Sequence, residues 1–422
     1  MTLVLERPTP SRPSRTVPAR TAPPQRWCVV TCEYPPLEGG VSDHTHHLVA
    51  ALAAQGDVVD VWCPPIPTVD DAEPAAPPEI PGVTVHVLPS HFGPRAISLL
   101  RRELRALPPD TRVVVQWVPA AFGWRTMNLP FALMLLRLRG RGLDLFVHDV
   151  GDVGREPGRS AVAGIVRHVM TWCAARSARR VYVTIPTWRN RFSLLGARAL
   201  PPDEEATWVP VPSNVPDRAD DARVAVLRRA LLARTYQQRV LVGHFGTFGR
   251  FHAALMPHVV ARILDEAHDR TFVLVGRGGE ALRDYVARER PELAARIVAT
   301  GALAAEDVAT HLAACDMLVQ PYEDGASTRR SSLMAGLALG RPTIANRGRS
   351  TEELWSVERA IHLTDSHAPH ALAGAVTKLL ADANLRERLI ENARRLHAER
   401  FAMTHTVSAL RTVQASAVET PA

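Results

Sequence analysis

The chain reads as an α/β protein built from two doubly wound, mainly parallel-sheet domains, on three grounds. Short β-branched runs alternate with amphipathic helical stretches, a proline-dense segment breaks that rhythm once near the middle, and the rhythm then starts afresh. At 422 residues the chain also exceeds a typical single domain, and with 46% hydrophobic residues each half can bury its own core.

In the first half the strand-like runs are Cys28 to Thr31, Val58 to Trp62, Val83 to Leu88, Val113 to Gln116, Asp144 to Val147 and Arg180 to Ile185. Pro201 to Pro216 shows periodicity of neither kind and reads as a linker. The second half resumes with Val240 to His244, Phe272 to Val275, Arg296 to Thr300, Met317 to Gln320, Pro342 to Ala345 and Ile361 to Thr364. A helix around Leu385 to Glu399 follows, and helical character near Val407 to Ala415 predicts a segment that packs back across the linker. The resulting division is a disordered arm over 1–25, an N-terminal domain over 26–200, a linker over 201–230, a C-terminal domain over 231–395 and a terminal helix and tail over 396–422. The arm is too rich in proline for a helix and its apolar stretch is too short for a signal peptide. Open parallel sheets place ligands beyond the carboxyl ends of their strands, so the site is expected in a cleft between the two domains.

The net charge is +7 with a pI near 9.6, but 43 acidic residues are spread along the chain, so no dedicated nucleic-acid arm is present and no nucleic-acid partner is expected. An anionic small substrate or an acidic membrane surface suits this bias equally. Lys378 is the only lysine, so a phosphate site here must be an arginine site. The heavy use of arginine and alanine points to a GC-rich bacterial source. Cys28, Cys32, Cys63, Cys173 and Cys315 are odd in number and lie in or beside apolar runs, which predicts buried reduced thiols in a cytoplasmic protein. The apolar stretch Asn128 to Leu136 is cut by Arg137 and Arg139 long before spanning length, so no transmembrane helix is expected.

The most informative stretch is DGASTRRSSLMAGLALGRP, from Asp324 to Pro342. Leu333, Met334, Leu337 and Leu339 are spaced for a helix that buries one side, which puts the polar residues in its first turn and the loop before it. Free amide hydrogens collect there. Ser327, Thr328, Ser331 and Ser332 can donate hydroxyl bonds, Arg329 and Arg330 can fork onto a diphosphate, and Asp324 can accept bonds from sugar hydroxyls. A second candidate is the exit of the first strand, Glu33 to His44, where Gly39 and Gly40 let the backbone approach a ligand at a helix start. His148 ends a predicted parallel strand, where ligands gather. Gln116 to Arg125, with Trp117 and Phe122, either stacks an acceptor sugar or aglycone or anchors its loop in the core. His44 is a further acceptor-side candidate. With His46 and His47 it does not make a metal set, because a helix start sends adjacent side chains in different directions. The stretch Arg95 to Leu107, with leucines on one face and Arg101, Arg102 and Arg105 elsewhere, fits a peripheral membrane helix or a plain surface helix.

Several of these segments resemble retaining glycosyltransferases of the GT-B fold, glycosyltransferase family 4 in particular. They are EYPPLEGGVSDHTHHLVAALAAQGDVVDVWCP, GHFGTFGR from Gly243 to Arg250, VLVGRGGE from Val273 to Glu280, and ACDMLVQPYEDGASTRRSSLMAGLALGRPTIA, in the family's order. The resemblance implies two Rossmann-like domains facing each other across a cleft, with a nucleoside diphosphate sugar as co-substrate and no metal or other cofactor. It assigns Gly39, Gly40, Gly246, Thr247, Arg250, Gly276, Gly278, Gly325, Ser327 and Ser331 to donor and phosphate binding, and His148 to the transferred sugar. Asp324, Arg329 and Arg330 complete the expected catalytic set.

The chain also departs from the family. The usual pair of glutamates, seven residues between them, is replaced by Ser327 and Ala335, and the lysine expected after Arg250 is absent. Asp324 is then the candidate for the sugar contact, and Arg250, Arg329 and Arg330 must neutralise the diphosphate. These losses leave two other readings open: a catalytically silent GT-B partner protein, and a nucleotide-sugar epimerase on the same fold.

Overall fold

The N-terminal sheet forms because its inner strands are continuous β-branched and apolar runs that only a sheet covered on both faces can bury. The computed structural model describes residues 24–37, 39–66, 76–151, 159–194, 197–200, 206–234 and 238–412. Most of the expected arm, part of the proline-dense segment and the last stretch of the tail lie outside the described residues. In chain order the N-terminal elements are β1 (Arg26–Val30), α1 (Gly40–Ala53), β2 (Val58–Cys63), β3 (Val83–Val87), α2 (Pro94–Ala106), β4 (Arg112–Trp117), α3 (Leu129–Leu136), β5 (Leu143–Val147), α4 (Arg159–Ser177) and β6 (Ala178–Val183). A two-stranded hairpin, β7 (Ser193–Leu194) and β8 (Ala197–Arg198), and the short β9 (Thr207–Trp208) follow. The strand order is β3-β2-β1-β4-β5-β6-β9, parallel throughout. β4 and β5, in its middle, are buried at every residue.

The C-terminal domain repeats the plan. Its elements are α5 (Asp221–Leu232), β10 (Val240–Phe245), α6 (Arg250–Asp265), β11 (Arg270–Val275), α7 (Gly279–Glu289), β12 (Ile297–Ala299), α8 (Ala305–Ala314), β13 (Met317–Gln320), α9 (Ser331–Ala338), β14 (Thr343–Asn346), α10 (Leu354–Glu358), β15 (His362–Thr364), α11 (Pro369–Ala381), α12 (Ala383–Leu396) and α13 (Met403–Arg411). The sheet order is β12-β11-β10-β13-β14-β15, again parallel. All twelve strands expected from the sequence are present. Two Rossmann-like domains with a cleft at their carboxyl edges make this the GT-B architecture.

The expected linker is more ordered than its composition suggests. β9 adds a seventh strand to the N-terminal sheet, while Val215 and Leu231 pack into the C-terminal domain beside α8. A two-residue strand carries no readable period, and α5 buries only Leu231, so neither announces itself in sequence. α13 returns to the N-terminal domain, where Val407 and Leu410 join Leu48, Val49 and Leu52 of α1 in one cluster. Arg411 pairs with the buried Asp57, and Arg112 donates to the carbonyl of Leu410. Asp57 also accepts from the indole of Trp27 at 2.9 Å, so one carboxylate ties β1 to the last helix. The apolar stripe of α2, Ala96, Leu100 and Leu104, is fully buried in the N-terminal core, which leaves Arg95, Arg101, Arg102 and Arg105 on the exposed side. Among the described residues no helix is long and apolar enough to cross a membrane. All five cysteines are buried thiols.

Candidate active site

The carboxyl ends of β10, β11 and β13 open onto one cleft of about 650 Å³. Gly246, Thr247, Gly276, Gln320 and Tyr322 form its C-terminal wall, with Ala302, Leu303, Ala305 and Val308 beyond β12. Gly39, Gly40, Asp43 and His47 of the α1 start, together with Asn214, close it from the N-terminal side. Gly276 has to be glycine: its φ is 118°, and a Cβ there would lie 2.3 Å from the carbonyl oxygen of Gly246. The loops after β10 and β11 pass that closely only because the side chain is absent.

On the N-terminal side the start of α1 already holds an anion. Glu33 Oε1 accepts from the amides of Val41 at 2.9 Å and Ser42 at 3.0 Å. A Cβ on Gly39 would come within 2.3 Å of this carboxylate, so a side chain there would push Glu33 off the two amides. Burial pushes the Glu33 carboxyl pKa up, against the two amides that pull it down. The Gly-Gly loop thus lines the cleft as expected, with part of its amide capacity taken by the chain's own carboxylate. Asp43 accepts from Asn214 Nδ2 at 2.8 Å and joins this helix start to the segment that crosses between the domains.

On the opposite side, α9 begins at Ser331 with no side chain capping it. Arg329, Arg330, Ser331 and Ser332 line the cleft beside that open turn, facing Gly40 and His47. Both arginines grip Asp324: Arg329 reaches Oδ2 at 2.6 Å, and Arg330 bonds Oδ1. Burial alone would raise the Asp324 pKa, but the guanidinium groups of Arg330 and then Arg329 outweigh it and hold the carboxyl below its ordinary value. Each guanidinium also stacks on an aromatic ring, Arg329 at 5.6 Å from Trp188 of the N-terminal domain and Arg330 at 5.0 Å from Tyr322. The Nε–H of each is buried without a partner. The loop carrying them is pinned from behind: the Thr328 hydroxyl donates to the carbonyl of Thr184 across the domain boundary at 2.7 Å. Glu352 Oε1 accepts from the Thr328 amide at 2.9 Å, and its other oxygen accepts from Trp355 Nε1 at 2.8 Å.

The structure brings Gly39, Gly40, Gly246, Thr247, Gly276, Arg329, Arg330 and Ser331 to one cleft. It corrects the expectation for Asp324, whose two oxygens face its own arginines and are not open to sugar hydroxyls. Trp117 and Phe122, candidates for acceptor stacking, are fully buried core residues; Trp117 donates to Thr171 Oγ1 at 3.1 Å and packs on Phe122 and Phe131. Arg250 is exposed at the first turn of α6 and does not line the cleft; His252, two residues on, does. Gly278 caps α7, and Gly325 and Ser327 are buried in the loop behind the arginines. His148 follows β5 as expected, with Nε2 engaged by Gln116 Oε1 at 2.6 Å and its ring edge-on to His44 at 4.7 Å. Burial drives the pKa of both rings down, His44 to about 3, so both are neutral near pH 7. His44 lines only a narrow slot between α1 and α9. Sequence reading did not single out Glu352, Trp188, Asn214 or Gln320. Their only signal was a polar or aromatic residue beside a strand end or inside a linker. Among the described residues, no group of three or more His, Cys, Asp or Glu side chains is placed to hold a metal ion.

Two open parallel sheets with an arginine-rich cleft between them define a GT-B protein. Its N-terminal half matches the family model described as glycosyl transferase 4-like domain over residues 39–203, and its C-terminal half matches glycosyl transferases group 1 over 240–382. The chain is a glycosyltransferase, assembled from these two domains. Solved structures with the same fold include HepE of Anabaena in complex with UDP, at 16% identity and a TM-score of 0.62, covering 92% of this chain and 98% of that one. Sucrose-phosphate synthase of Thermosynechococcus elongatus aligns at 17% identity and a TM-score of 0.67, covering 92% and 97%. WaaG, a glycosyltransferase involved in lipopolysaccharide biosynthesis, aligns at 17% identity and 0.63, covering 92% and 100%. No curated protein matches the chain in sequence.

Proposed function

We propose that this glycosyltransferase moves a sugar from a nucleoside diphosphate sugar to an acceptor hydroxyl, with retention at the anomeric carbon and without a metal, in the manner of family 4. The observation that carries the reading is the pairing of two guanidinium groups, each with an unpartnered Nε–H, with the uncapped start of α9 in a cleft of about 650 Å³. As the bond from the anomeric carbon to the diphosphate oxygen breaks, negative charge builds on the leaving group. Preorganised arginines and helix-start amides stabilise that charge more than they stabilise the intact donor. The acceptor oxygen bonds to the same face of the sugar, and its proton passes to the departing phosphate. HepE has been crystallised with UDP and glucose, which supports a nucleotide-sugar donor here. Buried free thiols support a reducing, cytoplasmic setting. The exposed arginines of α2 supply an electrostatic contact with an anionic membrane surface, since the apolar stripe of that helix is used inside the protein.

The test is incubation with a panel of nucleoside diphosphate sugars and simple glycoside acceptors in the presence of a chelator, with the anomeric configuration of the product read by NMR. Transfer with retained configuration is expected; an inverted product, or transfer abolished by the chelator, refutes the mechanism.

A further inference from the structure

Gln320 is the last residue of β13 and is completely buried, yet neither its Oε1 nor its Nε2 has a hydrogen-bond partner. A buried amide with both ends unpaired is costly, about 1–3 kcal/mol for each unmet group, and calls for a partner the protein itself does not provide. Gln320 also lines the cleft. Alternation along β13 puts it on the same face as Leu318, the face covered by α8 and α9 through Val308, Leu312 and Ala335. Ala335, fully buried on α9, brings no polar atom to that face.

A nucleoside diphosphate is linear: base, ribose, phosphates. The cleft has a matching order of surfaces. Ala302, Leu303 and Ala305 lie beyond β12 at the sheet edge and offer an apolar wall for a planar ring. Arg329, Arg330 and the start of α9 hold the anionic end. Gln320 ends a strand nearer the middle of the sheet, between these two. What lies between a base and its phosphates is a vicinal diol, and a carboxamide fits one: Oε1 accepts from one hydroxyl while Nε2 donates to the other oxygen.

We infer that Gln320 reads the ribose 2′- and 3′-hydroxyls of the nucleotide, a specificity-determining role carried by the strand end because Ala335, the α9 residue packed on the same face, has no polar atom to carry it. The inference rests on the nucleotide-sugar reading above. Calorimetric titration of the full chain with UDP, GDP and ADP, each beside its 2′,3′-dideoxy counterpart, separates the two ideas. Wild type should bind the ribose form of its preferred nucleotide about tenfold or more tightly than the dideoxy form, because the dideoxy ligand leaves the buried amide unpaired. Gln320→Met, which keeps length and removes both polar atoms, should bring that ratio to about one while the dideoxy affinity stays within about threefold of wild type. Gln320→Asn keeps an amide but shortens its reach, and is judged by the same ratio if the methionine variant does not fold. A ratio that stays at the wild-type value in a folded variant overturns the role of Gln320 and leaves the donor site standing. Wild type that binds none of the three nucleotides overturns both.

Discussion

Replacing Arg329 and Arg330 with alanine perturbs two things at once, because it strips the partners from Asp324, whose side chain is only 3% exposed. A buried carboxylate left unpaired costs about 3–5 kcal/mol. For a domain of this size that corresponds to a melting shift of roughly 6–20 °C, at about 2–4 °C per kcal/mol. Adding Asp324→Asn to the double variant removes the stranded charge and should recover most of the shift. The catalytic loss is separate. Two charge-assisted contacts to a departing diphosphate, at about 1.5–3 kcal/mol each, amount to roughly 10²–10⁴-fold in turnover. Nucleotide release from a donor panel and thermal unfolding by circular dichroism, on the double and triple variants, read the two effects independently. The expected pattern is a triple variant that melts near wild type and turns over at least a hundredfold more slowly, within the range just estimated. Wild-type turnover in the triple variant refutes the grip on the leaving group, and an unrecovered melting point refutes the stranded-charge account.

Glu33→Gln keeps a hydrogen bond to the start of α1 but removes a negative charge from the cleft wall, and should tighten nucleoside diphosphate binding by about 2–5-fold, the scale of a charge at a helix terminus; weaker binding by calorimetry would sink that expectation. His44, His148 and His244 are all held neutral by burial, His44 and His244 down to about 3, so the unfolded chain binds protons that the folded one refuses. Stability is therefore complete above the unfolded value near 6.5 and falls as pH drops below it, by up to about 4 kcal/mol per pH unit if all three titrate. Urea unfolding between pH 4.5 and 7 measures this slope, and a flat profile contradicts it. Thr328→Val deletes the hydroxyl that joins Thr184 and Glu352 and should cost about 1–3 kcal/mol, with the loss seen in denaturant midpoint; no change would mean the bond across the domains is dispensable. Changing Arg101, Arg102 and Arg105 to glutamine should weaken sedimentation with anionic vesicles by roughly 100-fold at about 1 kcal/mol per charge, and wild type that ignores such vesicles removes the membrane contact altogether.

Patterns that repeat were legible in the sequence. Twelve strands could be read because each is a short stretch dominated by β-branched or apolar residues between helical periods, and a buried parallel strand needs such a stretch. The anion-facing turn before Leu333 was legible for the same reason: small polar residues ahead of an apolar helix leave little else for a helix start to do. What stayed hidden depends on partners distant in sequence. Asp324 reads as a free acceptor until Arg329 and Arg330 fold onto it, and Trp117 and Phe122 read equally as a stacking platform or as core anchors until Phe131 arrives from the next helix. Glu352 gives no hint in TEELW that it will hold Thr328, 24 residues earlier. Gln320 looks like any polar strand end; only its burial with both atoms unpaired marks it out.

Each wall of the cleft arrives with a carboxylate in place, Glu33 on the α1 amides and Asp324 on the paired arginines. For the proposed reaction this is a matter of differential binding. A cleft of bare guanidinium groups and open helix starts would hold the finished diphosphate very tightly, and binding that is as strong for product as for the transition state slows turnover. The internal carboxylates lower the standing positive potential for every anion that enters. They do not take up the Nε–H groups of Arg329 and Arg330, which are buried without a partner, or the uncapped first turn of α9. Asp324 also holds the two guanidinium planes in place before any ligand arrives, so less reorganisation remains at the moment of bond breaking. One side chain thus weakens the average attraction while fixing the direction of the part that matters, which is what the proposed reaction asks of a site without the glutamate pair and the lysine of the enzymes it resembles.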